Sequence, residues 1–172
     1  MIFGVLLASL ICCGTTVQCY KHEIVEDLLN IIFKLKKSDG FQGGRTSIPA
    51  FTATLSKDFS VAVTNKIIVF DTVKTNIGGH YSSKTGIFTV PRNGLYMISS
   101  TMRSYGSKHL HCELWVNSDI IEKLFGGNYS QGTANAVLQL KRGDRVFIKK
   151  DNHGGESILG RDWSVFSGYL IA

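Results

Sequence analysis

Proline occurs only twice in the 172 residues, and the 18 glycines follow no Gly-X-Y period. A collagen triple helix needs glycine at every third position, so none is encoded. No tract is biased enough in composition to specify disorder. Charge is missing from the whole segment 1–19. Its apolar run, Ile2 to Cys13, is too short for a membrane span, which takes about 20 apolar residues. Catalytic signatures are also missing: there is no Gly-x-Ser-x-Gly elbow, no glycine loop for phosphate and no His-Glu-x-x-His. These absences exclude the common hydrolase and nucleotide-binding classes, and the chain is read as a non-enzyme. No internal repeat is visible.

The uncharged segment instead has the pattern of a secretory leader, apolar first and then small and polar. Val17 and Cys19 suit a cleavage site before Tyr20, which gives residues 1–19 as signal peptide and a secreted product. Of the 4 cysteines, Cys12, Cys13 and Cys19 then leave with the leader. Cys112 stands alone, which argues against a disulfide framework. If cleavage follows Gly14 instead, Cys19 stays and is placed to link subunits. The formal net charge of +6 survives cleavage, because nothing removed is charged.

Residues 20–37, "YKHEIVEDLLNIIFKLKK", carry Ile24, Leu28, Ile31 and Leu35 at alternating spacings of four and three. That is an apolar stripe of about two heptads, and Leu at a with Ile at d favours three or four strands over two. Acidic residues early and lysines late suit the helix dipole. A short oligomerisation helix is therefore expected here, followed by a Gly/Ser-containing linker over 38–47.

From Ile48 onward the pattern switches to short β runs divided by Gly, Asn and Asp. "AFTATLS", "KIIVFD", "GIFTVP", "GLYMISSTMRS", "HLHCELWVN", "DIIEKLF", "TANAVLQL", "DRVFIKK" and "SVFSGYLIA" read as strands. In the fifth, Leu110, Cys112, Leu114 and Val116 share one face, with His109, His111, Glu113 and Trp115 on the other. Many short strands without an intervening helix predict an all-β sandwich or jelly roll.

Candidate chemistry is sparse. Cys112 alternates with leucines and so points into a core rather than acting as a nucleophile. His109, His111 and Glu113 are spread along one strand face, which is poor geometry for a single ion, so no metal site is expected. Asn128-Tyr129-Ser130 is an N-glycosylation sequon on a Gly-rich loop. Lys141, Arg142, Arg145, Lys149, Lys150 and Arg161 crowd the last third and form the candidate ligand surface for anionic polymers. No nucleic-acid fold is recognisable. Arg142-Gly143-Asp144 spells an integrin tripeptide. Its setting between two alternating strands makes it a turn, with Gly143 free to take positive φ and Asp144 bonding the backbone.

One set of spacings is more specific. Phe70, Asn76, Tyr81, Phe88, Gly94 and Tyr96 fall at the intervals of the signature of the complement C1q globular-head family, which is related to tumour necrosis factor. Ile98 and Ser100 depart from it, standing where the family has Phe and an aromatic residue. "PAFTATLS", "LKRGDRVF" and "FSGYLI" also match family habits, so the resemblance covers about residues 48–172. It implies a ten-stranded, two-sheet jelly roll, preceded here by the short helix, that assembles as a homotrimer. It further implies a pattern-recognition role, with microbial polysaccharide or lipopolysaccharide as ligand. A signalling ligand for a host protein receptor, of the tumour necrosis factor or cerebellin type, is the alternative. Some relatives bind Ca²⁺ through acidic residues in the loop that here reads "FGGNYSQG", without a carboxylate. No calcium is expected at that loop, and Asp151 or Asp162 are the remaining candidates.

Overall fold

The computed structural model describes residues 25–31, 47–61, 65–154 and 156–172. The chain divides into two units between Thr46 and Ser47. In the first, residues 25–31 form a helix whose side chains, including Leu28 and Ile31, are exposed in the single chain. Ile24, Leu35, the leader and the linker lie outside the described residues, apart from Ser47. No described helix is long and apolar enough to cross a membrane.

The second unit is a β sandwich. Its strands are β1 (Ala50–Thr54), β2 (Phe59–Val61), β3 (Thr72–Ile77), β4 (Tyr81–Ser82), β5 (Ile87–Thr89), β6 (Gly94–Arg103), β7 (His109–Val116), β8 (Asp119–Gly127), β9 (Gln131–Leu140), β10 (Arg145–Lys150), β11 (Glu156–Ile158) and β12 (Val165–Leu170). One sheet has the order β3-β1-β12-β6-β9 and the facing sheet β4-β5-β10-β7-β8. These are the ten strands that the resemblance implied. β2 and β11 pair separately as a third, two-stranded sheet.

Two local expectations need correction. "KIIVFD" is not a strand: beyond one bridge, Ile67 to Lys149, it pairs only through Ile68 N–H to the Ile148 carbonyl and Lys150 N–H to the Lys66 carbonyl. β5 already occupies that flank of β10 from Arg145 to Phe147, so the segment is left only the end of the strand. Ile68 and Phe70 are nonetheless buried, which is why the run is apolar. Conversely β3 was not foreseen, because most of its positions are exposed and polar and show no alternation.

Between the sheets lies a set of rings. Phe51 stacks on Tyr81 at 5.0 Å and on Phe88 at 4.7 Å, and meets Phe166 edge-on at 4.9 Å. Such pairs add about 0.5–1.5 kcal/mol each beyond the burial of their area. The signature residues earn their places here. Tyr81 donates its hydroxyl to the Phe70 carbonyl at 2.9 Å, and the Asn76 amide brackets the backbone of Tyr81 from both sides. Tyr96, fully buried, donates to the Arg92 carbonyl at 2.8 Å. A side chain at Gly94 would lie 2.6 Å from the Ala172 carbonyl oxygen, so only glycine lets the C-terminus close over β6. Ile98 and Ser100, where the signature is broken, remain inward and fully buried, with Ser100 Oγ donating to the Val165 carbonyl.

The sandwich has two distinct ends. Pro49 accepts from Leu170 N–H and Ala172 from Leu95 N–H, so both chain termini of this unit lie at one, the proximal end. The ten residues of β6 run from there to Arg103, a span of roughly 30 Å at about 3.3 Å per residue. Phe166→Ala, which removes the ring shared by Phe51, Phe70 and Tyr81, is expected to lower unfolding free energy by about 3–5 kcal/mol. Urea denaturation measures it, and a loss below about 1 kcal/mol would mean that the rings do not organise the core.

Candidate functional site

The six basic residues expected to share a surface are divided by the fold. Lys141 and Arg142 lie on the β9–β10 turn, exposed, and Arg145 opens β10 beside them. Arg142 N–H is held by Asn93 Oδ1 at 2.8 Å, which brings the turn against the β5–β6 turn and its exposed Arg92. Arg142 also lines an open pocket of about 440 Å³ with His80, Tyr81, Thr89 and Pro91. Sequence reading missed Arg92 and His80, which come from a different part of the chain. This basic group is proximal, beside the two ends of this unit. Arg161 is at the opposite end, paired with Asp58 at 2.8 Å.

Lys149 faces outward but lies over the Trp115 ring at 4.5 Å, half-buried. Lys150 corrects the expectation outright: it is 0% exposed. Val146, Ile148 and Lys150 take the inward positions of β10, and the Lys150 ammonium at the end of the row is neutralised by Asp151 and by Glu156 at 2.8 Å. A buried charge survives only with such partners.

Asp144 is also spoken for. It accepts from Lys141 N–H at 2.8 Å and from Asn117 Nδ2 at 3.0 Å, inside the turn. Those bonds hold its carboxyl below the usual carboxylate range, the Lys141 amide contributing most. Gly143 adopts φ 92, the conformation expected of the turn. The tripeptide therefore spends its carboxylate on its own fold rather than presenting it.

The distal end has a different character. Tyr105, Tyr129 and Trp163 are all exposed, Trp163 by 55%. Tyr105 meets Tyr129 edge-on at 6.1 Å, and the Arg103 guanidinium lies 4.5 Å over the Trp163 ring while donating to the Tyr129 carbonyl. Four non-glycine residues with positive φ hold these loops: Asn128 (50), Tyr129 (62), Arg161 (52) and Asp162 (65). Left-handed backbone at a bulky residue is uncommon and collects at functional loops. Nothing periodic marks these residues, since they come from three separate loops. The sequon residues Asn128 and Ser130 are exposed on the same end, Ser130 Oγ accepting from Gly127 N–H.

The outer face of the β3-β1-β12-β6-β9 sheet is the third feature. Ile77, Ala50, Tyr169, Met97 and Val137 are in register across all five strands. They form one apolar row, with Tyr169 51% and Val137 57% exposed. The neighbouring rows supply Thr52, Ser167, Ser99 and Asn135, then Val165, Thr101 and Thr133. Along the outer positions of β1, β12, β6 and β9, Arg103 at the distal edge is the only charged residue.

Cys112 is buried, and burial pushes its thiol up to about 12, far from a nucleophile's range. Asp162 is engaged by Thr54 Oγ1 and by Lys74 at 3.1 Å, and Asp151 by Lys150 and His153. The two calcium candidates are thus each taken up by protein groups.

Comparison with known proteins agrees with this geometry. Residues 50–171 match the model of the C1q domain. Human complement C1q tumor necrosis factor-related protein 3 is 30% identical over 130 residues, covering 71% of this chain and 50% of the relative. Caprin-2 of Danio rerio is 30% identical over 129 residues, 71% of this chain and 14% of the relative. The chain thus spans half or less of these relatives' length. Among solved structures, the globular domain of zebrafish complement 1qA is similar with a TM-score of 0.59 and 25% identity, over 72% of this chain and 98% of that one. Eiger TNF from S. frugiperda shares the fold, with a TM-score of 0.61 at 15% identity over 73% of this chain and 93% of that one.

The Asp144 cage sets an acid response. Its folded pKa is depressed below 3.8, so its stabilisation is complete above the unfolded value and is lost as pH falls through the folded one. Melting temperature is expected to drop as pH falls below about 4, and Asp144→Asn should flatten that part of the profile. An identical profile in the variant would show the cage to be energetically idle.

Proposed function

The chain belongs to the C1q domain family, a non-enzymatic ligand-binding fold, and on that premise we propose that it is a secreted homotrimeric recognition protein of innate immunity. Three copies bury the apolar sheet face against one another, and the distal aromatic loops contact microbial or altered-self surface polymers. Residues 1–19 direct secretion, the helix within 20–37 reinforces the trimer, and 38–47 joins it to the head.

The observation that carries this reading is the division of the surface. A protein with net charge +6 keeps charge off the outer positions of four adjacent strands except for Arg103 at the distal edge, and places an apolar row there. Exposed apolar rows mark contact surfaces, and a face with its one charge at the distal edge avoids most of the desolvation cost of burying ions. The distal end then points away from the two ends of this unit, with Trp163, Tyr105 and Tyr129 offering ring faces and Arg103 a guanidinium. Sugar rings pack on aromatic faces, and phosphate or carboxylate groups on a polymer pair with the guanidinium. Lys141, Arg142, Arg145 and Arg92 at the proximal end add long-range attraction for anionic surfaces. Each head binds weakly, and the trimer supplies avidity.

Binding of the secreted protein to immobilised lipopolysaccharide and peptidoglycan tests this. Trp163→Ala with Tyr105→Ala should abolish binding while leaving the assembly intact. Val137→Glu, which puts a carboxylate in the apolar row, should yield a folded monomer that binds about 100-fold more weakly. Full binding by either variant would refute the corresponding half of the proposal. Nanomolar binding to a single host receptor, with none to microbial surfaces, would replace it with the signalling alternative.

A further inference from the structure

We propose that His111, His153 and Glu156 form a binding site for a zinc ion. One ligand atom from each lies within 4.8 Å of the others. The three come from different elements: the first half of β7, the loop after β10 and the start of β11.

The surroundings are those of a prepared site. Glu156 is 5% exposed and is fixed through Oε2, which accepts from Lys150 Nζ and from His111 N–H, each at 2.8 Å. That leaves Oε1 facing His111 Nδ1, with which it makes a short hydrogen bond. Asp151 Oδ2 holds His153 Nδ1 at 2.6 Å, and Asp151 Oδ1 accepts His153 N–H at 3.0 Å. A carboxylate on one imidazole nitrogen fixes the tautomer and leaves the other nitrogen as electron-pair donor, the usual support behind a zinc-bound histidine. The His111 and His153 rings lie together, centroids 4.3 Å apart.

The charges agree. Glu156 and Asp151 contribute two negative charges and Lys150 one positive, so the neutral imidazoles face a net single negative charge. A divalent ion takes the place of the proton between His111 Nδ1 and Glu156 Oε1, and that proton moves to His111 Nε2, so the imidazole binds as the neutral ligand. Two imidazoles and one carboxylate suit Zn²⁺, whereas Ca²⁺ and Mg²⁺ require an oxygen shell. The exposed side of His153 leaves the remaining position to water.

The β7 histidine line by itself gave no such site. Glu113 is turned to the Trp115 indole N–H at 3.0 Å and to Lys123, and His109 stacks on Phe125. Only His111 belongs to both sets. Its Glu156 partner lies 45 residues downstream and is brought to β7 by the fold.

Titration calorimetry of the untagged full chain with ZnCl₂, paired with metal analysis after gel filtration, tests the site. One zinc per chain is expected, with a melting temperature that rises with zinc concentration. His153→Gln, at an exposed position that leaves the core untouched, should remove the zinc and the melting shift. Asp151→Asn should weaken binding about 10-fold or more, and His80→Gln should change neither. Co²⁺ should give d–d absorption in the wild type that is missing from folded His153→Gln. No zinc on folded wild-type protein, or undiminished binding by His153→Gln, would overturn the assignment.

Discussion

The exterior of this head depends on the ring stack inside it. Phe51, Tyr81, Phe88 and Phe166 pack between the two sheets. Side chains alternate along a strand with a period of two, so holding these rings inward sets the outward residues of the strands that carry them. With Phe51 and Phe166 in, Ala50, Thr52, Ser167 and Tyr169 must be out. A slip of one residue would bury serines and threonines and expose the phenylalanines, which no rearrangement of loops could offset. The uncharged outer face is thus tied to the core rather than to any independent feature of the surface.

That coupling separates three kinds of surface on one small domain. The outer positions of β1, β12, β6 and β9 carry no charge except at Arg103, which suits that face to another copy of the chain. The distal loops combine strained backbone with exposed rings and a guanidinium, suited to a ligand without one fixed shape. The proximal end concentrates Arg92, Lys141, Arg142 and Arg145, whose field acts at a distance and weakens with salt. The His111–His153–Glu156 cluster lies beside the distal end, on the edge where β11 meets β7. An ion there would pin the loop after β10 without touching the self-association face.

How much could be read from the chain alone follows from which interactions are local. Leu110, Cys112 and Leu114 are inward, as their alternation indicates, and the six signature positions have core or turn roles. Lys150 was also within reach, since Val146 and Ile148 set the phase that places it inward. A lysine is taken as exposed by default, and its neutralising partner Glu156 lies on another strand. Arg161 was grouped with Arg142 because both fall late in the sequence, although a ten-residue strand separates them in space. The apolar row from Ile77 to Val137 draws one residue from each of five strands. No window of sequence contains it, because it exists only in the register. The distal aromatic group and the histidine cluster escaped for the same reason.

The central claim is that this apolar face assembles three copies of the chain. Sedimentation equilibrium of the untagged secreted protein, at micromolar concentration and in the presence of a chelator, measures it directly. The account predicts a single species of three times the mass of one purified chain, unchanged on dilution across that range. A species with the mass of one chain under those conditions would contradict it.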